Sequence, residues 1–203
     1  MPGVPPLVLV TDRRATGGRD LLDVVAAALD AGLPAVQLRE KDLPGGPLLA
    51  LAERLRAVTA RAGALLLVND RLDVAVAAGA DGVHLGGGSV PVDVARRLLP
   101  AGALVGVSTH APAEAADTTA DFAVFGPVYA TPSKAAYGPP QGEARFRTAA
   151  ATARVPLLAI GGVTAAQVAA LRAAGAAGVA VIRAILAAED PARATRVLLA
   201  ALA

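Results

Sequence analysis

Residues 157–183 read LLAIGGVTAAQVAALRAAGAAGVAVIR. An apolar run ends in Gly161-Gly162, helical spacing follows from Thr164, and Gly175 leads into a second apolar run that ends at Arg183. This order predicts a strand, a turn, a helix and a parallel strand. Glycine or a charged residue follows each apolar run, at the strand ends where parallel α/β folds place their binding groups.

The same unit recurs along the chain. Apolar runs occupy Leu7–Val10, Ala35–Leu38, Leu65–Val68, Gly82–Leu85, Leu104–Val107, Phe122–Phe125, Leu157–Ile160 and Gly178–Ile182. Helical spacing occupies Arg19–Ala31, Pro47–Ala62, Leu72–Ala78, Pro91–Leu99, Pro112–Thr119, Gly142–Ala153, Thr164–Ala174 and Pro191–Leu202. We therefore predict an α/β fold, a single-domain (β/α)8 TIM barrel over residues 1–203. The alternative is an open doubly wound sheet, but no Gly-x-Gly-x-x-Gly motif follows the first run.

Composition narrows the class of partner. Hydrophobic residues make up 55% of the 203 residues but aromatic residues only 2%, and the formal net charge is +2. Basic stripes with interleaved aromatics are absent, which disfavours nucleic acid. Charged residues and glycines interrupt the most apolar stretch, so we expect no membrane span. The start of the chain lacks a signal peptide and the sequence has no cysteine, which favours a cytoplasmic protein.

The end of the second predicted strand suits a diphosphate. Gln37 and Arg39 share one face of the strand, and Lys41 follows on the loop. Arginine binds two oxygens in a fork, whereas lysine supplies a mobile point charge. The alternative is a salt-bridged rim in which Glu40 pairs with its neighbours.

Two further strand ends carry candidate groups. After the third run, Asp70 is a candidate ligand for Mg²⁺ and, equally, a candidate N-cap for the next helix. After the seventh, Gly161-Gly162 and the helix start near Thr164 can bind a phosphate together with Arg183, although a purely structural glycine turn is the alternative.

His84 and His110 are the two histidines. His110 follows the fifth run on a loop and is the candidate for proton transfer, with a surface or capping role as the alternative. His84 lies within a strand, and we expect a hydrogen-bonded structural role for it. The irregular segment Gly126–Gly142 predicts a lid or binding loop.

Motifs in chain order resemble those of one enzyme family. They are Leu9-Val10-Thr11-Asp12, Val36-Gln37-Leu38-Arg39-Glu40-Lys41, Val68-Asn69-Asp70-Arg71, Gly82-Val83-His84-Leu85-Gly86, Gly106-Val107-Ser108-Thr109-His110, Gly126-Pro127-Val128-Tyr129-Ala130-Thr131-Pro132-Ser133-Lys134 and Ala159-Ile160-Gly161-Gly162-Val163. Together they are similar to the thiamine-phosphate synthase family, which includes the related thiazole tautomerases. The resemblance covers essentially the whole chain.

The resemblance implies coupling of hydroxymethylpyrimidine diphosphate to thiazole phosphate with release of pyrophosphate, assisted by Mg²⁺. It implies a pyrimidine carbocation that the thiazole nitrogen attacks. The implied diphosphate ligands are Gln37, Arg39, Lys41, Asn69 and the catalytic Lys134. Asp70 would bind the metal and Ser108 would act on the leaving-group side. Thr131, Ser133, Gly161 and Gly162 would bind the thiazole phosphate.

Two positions depart from the family pattern. Gly87-Gly88-Ser89 stands where the synthases usually carry a second metal-binding aspartate, and Arg183 stands where they usually carry serine. Gly88-Ser89 matches the tautomerases, which aromatise thiazole carboxylate phosphate with a histidine at the place of His110. Tautomerase is therefore the alternative, and a non-catalytic phosphate-binding protein is the third. The expected partners are phosphorylated pyrimidine and thiazole substrates, with self-association into a homo-oligomer left open.

Overall fold

A computed structural model describes residues 3–131 and 139–203. Its strands form a closed parallel barrel in chain order. They are β1 Leu7–Val10, β2 Ala35–Leu38, β3 Leu65–Asn69, β4 Gly82–Leu85, β5 Leu104–Thr109, β6 Phe122–Phe125, β7 Leu157–Ile160 and β8 Gly178–Val181. Pairing of β1 with β8 closes the barrel, with Leu9 opposite Val181. The predicted (β/α)8 barrel is confirmed and the open sheet is wrong.

Helices pack around the barrel. They are α1 Leu21–Asp30, α2 Gly45–Ala62, α3 Leu72–Ala77, α4 Val92–Leu98, α5 Pro112–Asp117, α6 Gly142–Thr152, α7 Ala165–Ala173, α8 Arg183–Leu186 and α9 Pro191–Leu202. Every predicted helix is found with small changes at its ends. The short α8 and a 3-10 turn at Arg13–Ala15 were not predicted. No helix among the described residues is long and apolar enough to cross a membrane.

Three strand ends differ from the predicted ones. β3 extends to Asn69, which pairs with His84, and β5 extends to Thr109, which pairs with Phe125. These two strands therefore carry Asn69 and Ser108 within the ladder instead of on loops. β8 is shorter than predicted because its pairing with β1 ends at Val181.

The hydrophobic core has two layers. The larger layer lies between the barrel and the helices, and a smaller cluster that includes Val10, Leu67, Phe122 and Leu158 fills the barrel itself. Phe122 occupies the space beside Gly106, where an added Cβ would lie 2.2 Å from the phenyl ring. One large side chain opposite a glycine thus fills space inside a barrel that has few aromatic residues. This packed interior lies below the carboxyl ends of the strands and fixes the positions of the residues there.

Candidate active site

A cavity of about 330 Å³ lies at the carboxyl ends of the barrel strands. Every candidate residue within the described ranges lines it: Gln37, Arg39, Lys41, Asn69, Asp70, Ser108, His110, Thr131, Gly161, Gly162 and Arg183. Ser133 and Lys134 lie outside the described residues. Barrel closure explains the convergence, because it directs the carboxyl ends of all strands to one rim.

Amide side chains on β2 and β3 form part of the cavity wall. Gln37 is 4% exposed, and its Nε2 donates to Asn69 Oδ1 over 3.0 Å. Asn69 Nδ2 in turn donates to Asp70 Oδ2 over 2.6 Å. Because only the nitrogen of an amide donates, this chain of bonds orients both amides. The cavity wall therefore presents a fixed pattern of donors and acceptors here.

Arg39 and Lys41 bring two positive charges to the cavity. The backbone N–H of Arg39 donates to Thr11 Oγ1 over 2.9 Å, which ties the end of β2 to the end of β1. Glu40, between the two cations, pairs with Arg13 instead. Neither cation forms an ion pair with a described residue. The alternative of a salt-bridged rim therefore holds for Glu40 but not for Arg39 and Lys41, whose charges remain available to an anion.

Asp70 has a left-handed backbone, with φ of +60°. Its Oδ1 accepts hydrogen bonds from Ser89 Oγ and, over 2.7 Å, from the Gly86 N–H. Burial alone would raise the pKa of the Asp70 carboxyl, but these bonds, the bond from Asn69 and the charge of Lys41 lower that pKa below its ordinary value. The carboxylate is therefore ionised at neutral pH.

The N-cap alternative for Asp70 is wrong. Helix α3 begins after Arg71, and no side chain caps it. The reason is the left-handed turn at Asp70, which directs the carboxylate to the amide of Gly86 after β4 instead of to the first turn of α3. The side chain is thus committed to the cavity.

The carboxylate oxygens of Asp70 suit a magnesium ion that binds together with a diphosphate. Mg²⁺ is usually held by one or two carboxylates, with waters and phosphate oxygens as its remaining ligands. Asp12 is a second carboxylate of the cavity wall, but its Oδ1 accepts from the Arg14 N–H over 3.1 Å. The described residues contain no cluster of three or more His, Cys, Asp and Glu residues. A metal bound at Asp70 would therefore take most of its ligands from outside the protein.

His84 on β4 lies at the inner wall of the cavity. It is 3% exposed, and its Nε2 lies 2.9 Å from Ser108 Oγ on β5. Burial lowers the pKa of the imidazole to about 4, with the charge of Asp70 opposing this shift and that of Arg39 adding to it. The ring is therefore neutral at physiological pH. The expected hydrogen bond of His84 is present, and its partner is a candidate site residue.

His110 is exposed just after β5. Its Nδ1 lies 2.6 Å from the Gly126 carbonyl oxygen, and its backbone N–H donates to Glu114 Oε2 over 2.6 Å. A carbonyl oxygen can only accept, so Nδ1 carries a proton and the neutral ring has its lone pair on Nε2. An imidazole held in this way can take a proton at Nε2.

Gly161 and Gly162 turn the chain after β7, with φ of +97° and +65°. A Cβ on Gly161 would lie 2.5 Å from Pro127 Cβ, and one on Gly162 would lie 2.5 Å from the Ala130 carbonyl oxygen. Both positions therefore exclude a side chain. Their backbone N–H groups have no acceptor among the described residues. Such a turn at the start of a helix can bind a phosphate.

Arg183 lines the cavity on the same side as this turn, because β7 and β8 are neighbours with Ile160 opposite Ala180. The eighth strand is one residue shorter than predicted, so Ile182 separates it from Arg183. The strand ends at Val181, and Arg183 is the first residue of α8. The guanidinium is exposed and forms no ion pair with the described part of the chain.

Part of the cavity wall was not predicted. Val124, Ile160 and Ile182 line the cavity and provide apolar contacts for a flat ring. Thr164 also lines it and is the N-cap of α7, in a capping box with Gln167. The alternation of inward and outward residues along β6 and β7 was the signal that could have identified Val124 and Ile160.

The chain is similar to known proteins over nearly its whole length. The family described as thiamine monophosphate synthase matches residues 7–185. The thiamine-phosphate synthase of Methanoculleus marisnigri is 48% identical, over 94% of this chain and 92% of the relative. That of Roseiflexus castenholzii is 45% identical, over 94% of this chain and 85% of the relative. The structure of thiamine phosphate pyrophosphorylase from Pyrococcus furiosus superposes with a TM-score of 0.86 at 32% identity, covering 97% of this chain and 94% of that one.

Proposed function

The chain belongs to the thiamine monophosphate synthase family, and we propose that it couples hydroxymethylpyrimidine diphosphate to thiazole phosphate. In this reaction the bond between the pyrimidine methylene carbon and the diphosphate oxygen breaks, and pyrophosphate leaves with the electron pair. The lone pair of the thiazole nitrogen then forms the new carbon–nitrogen bond of thiamine phosphate.

One observation carries the proposal: two separate sets of anion-binding groups face one cavity. Arg39 and Lys41 follow β2, whereas the Gly161-Gly162 turn and Arg183 follow β7 and β8. A reaction that joins a diphosphate to a second phosphorylated substrate needs two such regions. Holding both substrates in one cavity brings the reacting atoms together, which lowers the entropic part of the barrier.

The β2 side suits the leaving group. Arg39 and Lys41 form no ion pair with a described residue, so both can bind pyrophosphate oxygens, with Gln37 and Asn69 as neutral donors. We include Lys134 in this clamp from the sequence. Fixed positive groups are most effective where negative charge develops, and here that is the departing oxygen. Their main effect is thus on bond breaking.

Asp70 is the residue proposed to hold Mg²⁺. When bound there, the ion would neutralise part of the charge on the diphosphate oxygens. Asp70 is ionised and already oriented by Gly86, Ser89 and Asn69. It therefore needs little reorganisation to accept a ligand.

The opposite side suits the acceptor substrate. We assign the thiazole phosphate to Gly161, Gly162 and Arg183, with Thr131 and Ser133 from the segment after β6. The turn supplies neutral N–H donors and Arg183 supplies charge, so the two kinds of contact add. Ser108 and His110 lie between the two sides, and the Ser108 hydroxyl donates a hydrogen bond toward the leaving group.

A second candidate is the thiazole tautomerase reaction, and the geometry of His110 favours it. With Nδ1 committed to the Gly126 carbonyl oxygen, Nε2 is the basic position. Proton transfer would use this atom and would need neither a metal nor Asp70. The coupling reaction therefore requires Asp70 and a metal, whereas the tautomerase reaction requires His110 and neither of these.

The test is formation of thiamine phosphate from the two substrates, measured once with Mg²⁺ and once with a chelator. The release of pyrophosphate is the readout. We expect product only with Mg²⁺. No product from folded protein that binds thiazole phosphate would overturn the proposal, and turnover of thiazole carboxylate phosphate would then establish the tautomerase. If the protein binds thiazole phosphate but turns over in neither assay, the third alternative, a non-catalytic phosphate-binding protein, is supported.

A further inference from the structure

We infer that His84 is a positioning residue: it donates from Nε2 to Ser108 Oγ and thereby directs the Ser108 hydroxyl hydrogen into the cavity. The inference rests on the proposed function, in which Ser108 acts on the leaving-group side. His84 itself makes no proposed contact with a reacting atom.

The first step concerns the two nitrogens of His84. Nε2 lies 2.9 Å from Ser108 Oγ, whereas Nδ1 is buried and has no hydrogen-bond partner within residues 3–131 and 139–203. Orphaned N–H groups are rare in protein interiors, while unpaired acceptors are better tolerated. The proton of the neutral ring therefore belongs on Nε2, and Nδ1 keeps only a lone pair.

The surroundings of the ring exclude the remaining states. A doubly protonated ring would place a cation in the barrel interior beside Phe122, whose ring centroid is 5.9 Å away. Burial opposes that charge, because a cation would lose its hydration in the barrel interior. Asp70 and Arg39 are the charged groups that act on the ring, in opposite directions. The neutral ring with Nε2–H is the state that fits.

The second step concerns Ser108. If Nε2–H donates, Ser108 Oγ is the acceptor, and its own hydrogen must point elsewhere. Ser108 lines the cavity, and its hydroxyl has no other hydrogen-bond partner among the described residues. The hydroxyl hydrogen is thus directed toward a bound ligand. A donor oriented before the reaction stabilises developing negative charge better than a freely rotating one.

The fold explains why a histidine can reach Ser108. His84 pairs in register with Gly106, and Ser108 lies two residues farther along the same strand. Because Gly106 has no side chain, Phe122 packs closely there and the imidazole lies against the interior wall. The ring is confined on one side and bonded on the other, which restricts its rotation.

Nitrogen NMR tests the tautomer without any substrate. The sequence has two histidines, so a ¹⁵N-histidine-labelled sample gives few signals, and the His84 signals are those lost in His84→Gln. We expect a protonated Nε2 and an unprotonated Nδ1 at neutral pH. Signals of the opposite tautomer, or averaged signals from both, would overturn the inference whether or not the enzyme couples its substrates.

A double-mutant cycle tests the consequence for catalysis. His84→Leu removes the donor, Ser108→Ala removes the hydroxyl, and His84→Gln keeps an N–H donor at a similar reach. We expect kcat to fall on the order of tenfold in His84→Leu, largely to recover in His84→Gln, and not to fall further when His84→Leu is added to Ser108→Ala.

Two measurements make this cycle decisive. The Kd for thiazole phosphate, which binds on the opposite side, should be unchanged in folded variants, so a change in kcat alone separates positioning from loss of the fold. Losses that multiply in the double variant would mean that His84 acts independently of Ser108. If the wild-type protein does not join the two substrates, the proposed function is overturned, and the NMR result on the His84 tautomer still stands.

Discussion

Glu40 lies between the two cavity cations in the sequence, yet its carboxylate binds Arg13 on the loop after β1. Oε1 accepts from the Arg13 backbone N–H over 3.0 Å and Oε2 accepts from Nη1 over 2.9 Å. The Glu40 side chain is 2% exposed. Asp42 binds the outer face of the same guanidinium. The pairing thus keeps negative charge away from Arg39 and Lys41 and joins the first two strand-end loops.

Replacing Glu40 should affect both stability and diphosphate binding. Glu40→Gln removes a charge that accepts two hydrogen bonds inside the protein, so we expect the free energy of unfolding to fall by about 1–3 kcal/mol. We also expect weaker binding of pyrimidine diphosphate, because the loop that carries Lys41 loses its anchor. Urea unfolding and calorimetry measure the two effects.

Asp42→Asn is the matched control for Glu40→Gln. Asp42 binds the same arginine at the surface, where Arg13 holds the pKa of the Asp42 carboxyl at about 2. Exposed ion pairs contribute little to stability, so this variant should unfold nearly as the wild type does. Equal effects of the two substitutions would contradict an anchoring role specific to Glu40.

Asp70→Asn should abolish coupling that depends on Mg²⁺, with kcat/KM falling at least roughly a hundredfold. The amide retains an oxygen to accept from Gly86 but loses the charge that attracts a cation. Electron paramagnetic resonance can measure the binding of Mn²⁺ in the presence of pyrophosphate. This readout does not depend on turnover.

The control is Asp73→Asn in α3, three residues along the chain. Its side chain is 65% exposed and pairs with Arg71. It should retain wild-type coupling and Mn²⁺ binding. Unchanged coupling in Asp70→Asn would remove Asp70 from the metal site, and retained proton transfer without coupling would support the tautomerase.

Arg183→Ala should weaken the binding of thiazole phosphate by about 1.5–3 kcal/mol, because a charge-assisted contact is lost. This corresponds to a Kd increase of roughly 10-fold to 150-fold, and calorimetry measures it directly. Arg147→Ala on α6 is the control, since Arg147 is exposed and does not line the cavity. If both variants bind as tightly as the wild type, the role of Arg183 is structural.

Acid should destabilise the protein through His84. The pKa of His84 is lowered from 6.5 to about 4 by burial, so the unfolded chain takes up a proton at a pH where the folded protein does not. The stabilising effect of the neutral ring is complete above pH 6.5 and is lost as the pH falls toward 4. Over this window we expect a loss of about 3 kcal/mol that is absent in His84→Gln.

Urea unfolding of both proteins between pH 7.5 and pH 4.5 checks this expectation. The other titrating groups are common to the two chains, so the difference between the two stability curves isolates the histidine. Parallel curves would show that His84 takes up its proton equally well in the folded protein.

Local rules explain how much of the fold was predictable. Each strand needs only a short apolar run followed by a turn, and each helix needs a repeated apolar face with a capping residue or a final glycine. Thr164 caps the start of α7 and Gly63 ends α2 in a left-handed conformation, which are the places where such residues are common at helix ends. Short-range interactions determine these features, so they can be predicted without knowing which residues they contact in the tertiary structure.

The polar strand ends were predictable for a related reason. Once the barrel is inferred, the residues after each strand must share a rim, which is why Arg39 and Gly161 could be assigned to one site before their neighbours were known. What each residue does at the rim depended on distant partners. The Asp70 carboxylate accepts from Gly86, sixteen residues away in the chain, and Glu40 accepts from Arg13, 27 residues away.

The sequence by itself determined the order of strands and helices and the residue types at the rim, because strand and helix periodicity and turn chemistry act over a few neighbouring residues. The tertiary structure decided which of those residues remain unpaired. It turned Asp70 away from its helix and ended β8 at Val181, one residue before the end of the apolar run. It also joined the buried ring of His84 to Ser108, because these contacts form only when separate strands close into the barrel.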